Sequence, residues 1–161
     1  MKESIVVPRD RINVIKDGKC KKMLQRNLGV KLSFADNSVE IEGEGLDLFQ
    51  AKRIVKAIGR GFSPIRAGEL FGEDKELEII DLEGFGEKRM RTIKSRIIGT
   101  NGKTRNIIEF STECLVSVYG NTASIIGSYE KIQIAKGAIG RIIDGASHKA
   151  VYAFLRKVGG K

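Results

Sequence analysis

The sequence has no tryptophan, one histidine, two cysteines and two prolines, and aromatic residues make up only 6% of it. Each shortage excludes something. Cys20 and Cys114 are too few for a disulfide framework, and with His148 as the single imidazole they cannot complete a four-ligand zinc site. No metal and no cofactor is therefore expected, and a reducing cytoplasm is the expected compartment. With few rings, any core must be built from isoleucine, valine and leucine. No uninterrupted apolar run approaches the ~20 residues of a spanning helix, and no signal peptide precedes Met1-Lys2-Glu3, so no membrane partner is expected. Converging catalytic groups are also missing. Glu69, Glu73, Asp74, Glu76 and Glu78 read as solvated charge near a linker, and no nucleophile, base and orienter set can be assembled, so no catalytic residue is assigned and the chain is not read as an enzyme. His148, beside Ser147 at a helix start, reads as an ordinary exposed residue.

Positive charge, by contrast, is plentiful. Lysine and arginine outnumber aspartate and glutamate by 29 to 20, a formal charge of +9 on 161 residues. An excess of that size points to a polyanion, and nucleic acid fits better than a membrane surface.

The stretch from Ile97 to Arg105 carries the most specific pattern. Met90, Ile93 and Ile97 recur at helical spacing before it, and Ile107, Ile108 and Ser111 continue a stripe after it. Between them stands Gly99-Thr100-Asn101-Gly102, so the reading is helix, G-x-x-G turn, helix. Glycine at 99 and 102 permits positive φ and lets another backbone approach without meeting a Cβ. The second helix begins at the turn, where its first amides have no intrahelical partner and favour an anion. Lys103 and Arg105 add charge there, Thr104 lies between them, and Lys94 and Arg96 are further candidate phosphate neighbours. Ile98 and Val116 are the expected apolar floor of an adjoining groove in which bases lie. Gly102-Lys103-Thr104 also resembles the end of a nucleotide-binding P-loop. That motif requires a glycine five residues earlier, where Ile97 stands in an apolar helical stripe.

A repeat runs through the chain. At a constant offset of 84, Gly18-Lys19 falls on Gly102-Lys103, Ser33 on Ser117, Asn37 on Asn121, Gly43 on Gly127 and Ala51-Lys52 on Ala135-Lys136. Strand alternation and helix stripe keep phase over the same length, so the chain is a duplicated unit. Ser63-Pro64 and Ser147-His148 both sit where a helix cap and first position belong. Upstream of the turns the second unit has gained ten residues, around Glu83 to Arg89. Each unit reads as strand, helix, turn, helix, strand, strand, helix, an α+β order with helices on one face of a three-stranded sheet. The expected boundaries are 1–72 and 76–161, and the short linker leads us to expect the two units to pack side by side. In the first unit the offset places the turn at Ile15-Lys16-Asp17-Gly18. Ile15 resists positive φ, and Asp17 would sit near any phosphate. Lys16, Lys19, Lys21 and Lys22 nevertheless offer secondary basic contacts, and this unit is read as mainly structural or protein-binding.

The runs Lys94 to Glu109 (K-S-R-I-I-G-T-N-G-K-T-R-N-I-I-E), Ile125 to Lys136 (I-I-G-S-Y-E-K-I-Q-I-A-K) and Gly145 to Tyr152 (G-A-S-H-K-A-V-Y) resemble archaeal KH-domain proteins of the partner-of-NOB family of ribosome-maturation factors. The likeness covers nearly the whole chain and is strongest in the second half; the first turn departs from the pattern. It implies two tandem type I KH domains (βααββα). It also implies a non-catalytic adaptor in small-subunit maturation, binding single-stranded RNA near the 3′ end of small-subunit rRNA through the second domain. A PIN-domain endonuclease that trims that end is the implied partner. A monomer is expected. The alternative is a general single-stranded nucleic-acid-binding regulator without a ribosomal role.

Overall fold

The computed structural model describes residues 1–159, which fall into two compact units, Met1–Glu73 and the part beginning at Asp74. In the first, strand β1 (Lys2–Val6) leads into helices α1 (Arg9–Lys16) and α2 (Gly18–Leu28). The hairpin strands β2 (Lys31–Phe34) and β3 (Ser38–Glu42) and helix α3 (Gly45–Gly59) follow. A short helix α4 (Pro64–Ala67), capped by the Ser63 hydroxyl, completes it. The second unit repeats the order as β4 (Glu76–Asp81), α5 (Glu87–Ile98), α6 (Lys103–Thr112), β5 (Leu115–Tyr119), β6 (Thr122–Gly127), α7 (Tyr129–Ile143) and α8 (His148–Gly159).

Each unit has an antiparallel three-stranded sheet with the last strand in the middle, β1-β3-β2 and β4-β6-β5. The alternation read from the sequence sets the register: Val39 pairs with Ile5 and Phe34, and Ile125 with Glu78 and Val116. In the second unit Ile93, Ile97, Ile108, Val116, Ile125 and Ile139 belong to one buried cluster. Each such side chain contributes about 1.5–3 kcal/mol by leaving water, which compensates for the scarcity of rings. The strand register sets Val6 against Asp81 and Val7 against Leu82, an offset of 75, so the second unit has gained nine residues where the sequence suggested ten, and they include a 3-10 turn, Glu83–Phe85, ahead of α5.

One tertiary fastening recurs. Arg11 donates from Nε to the Ile58 carbonyl and from Nη2 to the Phe62 carbonyl, both at 2.8 Å. Arg96 donates to the carbonyls of Ile142 and Ala146, the same two positions one repeat later. The acceptors keep the 84-residue offset; the donors do not. Ile58 and Ile142 lie at the ends of α3 and α7 and also accept the Gly61 and Gly145 amides, while Phe62 and Ala146 lie three residues beyond, so in each unit an arginine from the neighbouring helix ties the end of the long helix to the loop that follows it.

Candidate nucleic-acid interface

Helix α5 closes with the Gly99 amide on the Ser95 carbonyl, 2.8 Å away, and the chain then turns through four non-α-helical positions. Gly99 has φ 75° and ψ 174°, a conformation essentially restricted to glycine. Asn101 (φ 55°, ψ 27°) and Gly102 (φ 77°, ψ 12°) are left-handed. The two glycines are required for different reasons. A Cβ at 99 would stand 2.8 Å from the Thr104 amide nitrogen, whereas one at 102 would meet nothing nearer than Arg105 Nη2 at 3.9 Å. The close approach that Gly99 permits is therefore made by the chain's own α6.

Among the described residues no side chain caps α6, whose N-cap is Gly102. The Gly102 and Lys103 amides donate to the carbonyls of Gly99 and Thr100, so it is the helix dipole and the amides that follow them that favour an anion at this end. Thr100, Asn101 and Lys103 are exposed around it, and Ile98, Gly99, Gly102 and Arg105 are half-buried. The Nε of Arg105 is buried without an acceptor among the described residues, leaving a guanidinium at the turn with unmet bonding capacity.

Four expected contact residues are placed otherwise. Thr104 is 1% exposed and shares a 2.8 Å hydrogen bond with the Tyr152 hydroxyl, because the first turn of α6 faces α8. Val116 is 1% exposed, since strand alternation sends its side chain into the core with Ile125. It is no groove floor, although its backbone lies on the outer strand of the sheet. Arg96 is occupied by the carbonyls of Ile142 and Ala146, and Lys94 donates to the Gly120 carbonyl at 2.6 Å, fixing the β5–β6 turn. These four shape the site from behind.

The sequence reading missed the brace beneath the turn. His148 is half-buried, not exposed: its Nε2 lies 2.9 Å from the Arg96 carbonyl, and its ring stacks on Tyr152 at 6.0 Å. One helix thus holds both arms of the turn, α5 through His148 and α6 through Tyr152. The signal was available, since positions four apart share a helix face. Glu109 was also passed over; its Oε2 accepts the Val116 amide at 2.7 Å.

In the first unit no four-residue turn exists. Ile15 is 0% exposed and still helical, α1 runs to Lys16, and Gly18 already belongs to α2, so Asp17 alone breaks the helix. Burial of Ile15 extends α1 through the position where the second unit has a glycine. The Asp17 carboxylate accepts the Lys19 amide at 3.3 Å, so a side chain already occupies the helix mouth that the second unit leaves uncapped. Lys16, Lys19 and Lys22 are exposed, while Lys16 and Lys21 lie 5.6 and 5.9 Å from the centre of the Phe34 ring. Among the described residues no cluster suited to a metal ion occurs, and no helix is long and apolar enough to cross a membrane.

Residues 76–159 match the model of the eukaryotic-type KH domain (KH-domain type I) built for the second such domain of PNO1. A KH domain-containing protein of Methanocaldococcus jannaschii is 42% identical over 165 residues, covering 96% of this chain and 73% of the relative. The RNA-binding protein pno-1 of Caenorhabditis briggsae is 27% identical over 98% of this chain, which spans 62% of that protein's length. A chain in the crystal structure of the a/eIF2alpha-aDim2p-rRNA complex from Pyrococcus horikoshii OT3 superposes with a TM-score of 0.92 at 38% identity, covering 99% of this chain and 94% of that one.

Proposed function

The chain belongs to the family of PNO1- and Dim2-like KH-domain proteins, and from that premise we propose that it binds ribosomal RNA as a non-catalytic factor in small-subunit maturation. The observation that carries the reading is the uncapped mouth of α6 behind Gly99 to Gly102, ringed by Thr100, Asn101, Lys103 and Arg105. A flexible single strand can bring a phosphate to those amides, whereas a duplex presents its backbone on a stiff, wide surface. The structural neighbour crystallised with rRNA supports RNA as the polyanion, and its complex also contains a/eIF2alpha, a partner of that type being part of the reading.

In finer detail, the bound segment is single-stranded RNA near the 3′ end of small-subunit rRNA. The assisted enzyme is the PIN-domain endonuclease that processes that end. The whole chain is read as two tandem type I KH domains, residues 1–72 and 76–161, of which the second holds RNA. Asp17 at the equivalent helix mouth supports assigning the first unit a structural or protein-binding part. Crosslinking in cells, followed by sequencing of the bound strands, tests this directly. Enrichment at the 3′ end of small-subunit rRNA is the expected result. Broad recovery of messenger RNA or DNA without that enrichment would replace the reading with that of a general single-strand regulator.

A further inference from the structure

Strand β1 lies at the edge of its sheet and pairs with β3 alone. The Val7 amide donates to the Asn37 carbonyl and the Met1 carbonyl accepts from the Gly43 amide, so the odd-numbered residues of the strand face β3. In an antiparallel ladder the alternate residues, Lys2, Ser4 and Val6, then turn their N–H and C=O groups outward. Such an edge is a template for another strand unless it is blunted. In the second unit Asp81 of β4 stands at the place of Val6, and its carboxylate accepts the Glu83 amide at 2.9 Å, so a charged side chain ends that edge. In the first unit Val6 is 81% exposed. A recess opens beside it, lined in part by Ile5, Val6, Pro8 and Gly59, with Lys56 of α3 and Arg60 just after that helix; among the described residues no carboxylate lines it. Glu3, the acid within the strand, is paired with Lys52.

We propose that the β1 edge is a docking site for an extended acidic segment of a partner protein, which adds a fourth strand to the β1-β3-β2 sheet. The inference rests on the first unit having a protein-binding part. A peptide backbone carries donors and acceptors in alternation, so it satisfies the outward amides and the outward carbonyls of Ser4 and Val6 together. The phosphates of RNA offer acceptors alone and would oppose those carbonyls. Alternate side chains of the added strand face α3, where an apolar one fits the recess and a carboxylate meets Lys56 and Arg60. A second copy of this chain is a poorer occupant, because each copy brings Lys2 to the edge and a formal charge of +9.

The test titrates the isotope-labelled full chain with an acetylated octapeptide alternating glutamate and valine, and with a lysine and valine counterpart, and follows the backbone amide signals. The acidic peptide is expected to shift the β1 amides, to slow hydrogen exchange at Ser4 and Val6, and to bind at least about tenfold more tightly than the basic one. Ser4→Pro removes an outward amide and no bond to β3. It should weaken the acidic peptide about tenfold, while the amide pattern of the rest of the sheet and the binding of single-stranded r(A)6 hold. Val6→Asp, which gives the first unit the residue that ends β4, should weaken the peptide as much and serves if proline disturbs the strand. Equal binding of the two peptides, or binding indifferent to both substitutions, overturns the edge; indifferent binding with shifts elsewhere in the first unit leaves the protein-binding reading standing. Absence of binding by either peptide overturns both. Competition by r(A)6 for the same amides makes the surface an RNA contact, and a dimer in sedimentation that Ser4→Pro dissolves makes the occupant a second copy; either result overturns the proposal.

Discussion

Replacing Gly99 by alanine tests the geometry of the turn most sharply, because position 102 supplies an internal comparison. At 99 the new Cβ meets two penalties. The backbone conformation (φ 75°, ψ 174°) costs a non-glycine residue about 1–3 kcal/mol, and the 2.8 Å approach to the Thr104 amide adds roughly 1–3 kcal/mol of overpacking. Alanine restricts the unfolded chain and recovers only about 0.4–1 kcal/mol, so the net loss is about 2–5 kcal/mol. At 102 the space is open and only the left-handed conformation matters, for about 1 kcal/mol. For a unit of this size each kcal/mol moves Tm by about 4–8 °C. Gly99→Ala should therefore lower Tm by at least about 8 °C, and Gly102→Ala by roughly half that or less. Asparagine sharpens the contrast: it tolerates the left-handed region and should be nearly neutral at 102, yet it has no access to the Gly99 conformation. All three tyrosines, Tyr119, Tyr129 and Tyr152, lie in the second unit, and there is no tryptophan, so tyrosine fluorescence during unfolding reports on that unit alone. Equal losses at 99 and 102, or a larger loss at 102, would refute the assignment of Thr104 as the atom group that makes Gly99 obligatory.

Three further expectations use the same protein. Thr100→Asp with Asn101→Asp places two carboxylates on exposed positions before the α6 amides, so RNA affinity should fall at least about tenfold in a filter or anisotropy assay with Tm nearly unchanged; Lys16→Asp should weaken binding less, and equal losses would show that the units have been ranked wrongly. Arg96→Met removes two charge-assisted bonds to the end of α7 and the loop after it and should cost about 3 kcal/mol in tyrosine-monitored unfolding; an affinity loss with stability intact would return Arg96 to the list of phosphate contacts. Burial, and secondarily Asp17, push the Cys20 thiol up to about 11. A raised thiol keeps its proton longer in the folded state, so its stabilisation is complete below the ordinary thiol value of ~8.5 and is lost as pH climbs toward about 11; Cys20→Ala should flatten that part of the stability profile of the first unit, and an unchanged slope would count against it.

Period and offset were legible in the sequence because they are properties of residue type along one chain. Val30, Leu32 and Phe34 against Cys114, Val116 and Val118 gave the strands, and Ser63 and Ser147 marked helix starts that the structure retains, each hydroxyl accepting an amide three residues on. Contact roles were less legible. Arginine at 96 looks like a phosphate ligand until its acceptors are known, and those are backbone carbonyls 46 and 50 residues away, which have no signature in side-chain identity. Thr104 is polar and follows a glycine turn, yet only its approach to Tyr152 reveals that it faces inward. Val116 was an avoidable error, since the alternation that placed it in a strand also assigned it to the core face. The gapless offset likewise concealed that one unit has four positions between its helices and the other has one.

The brace from α8 bears on the thermodynamics of capture. With His148 on the Arg96 carbonyl and Tyr152 on Thr104, both approaches to residues 99–102 are anchored by the chain itself. Ordering four residues from a loose state costs about 1–2 kcal/mol apiece in backbone entropy, and here that cost falls on folding and not on association. Calorimetry of a docking oligonucleotide should accordingly record disorder lost mainly by the incoming strand, and loosening the brace with Tyr152→Phe should make association more entropically unfavourable at sites its hydroxyl never touches.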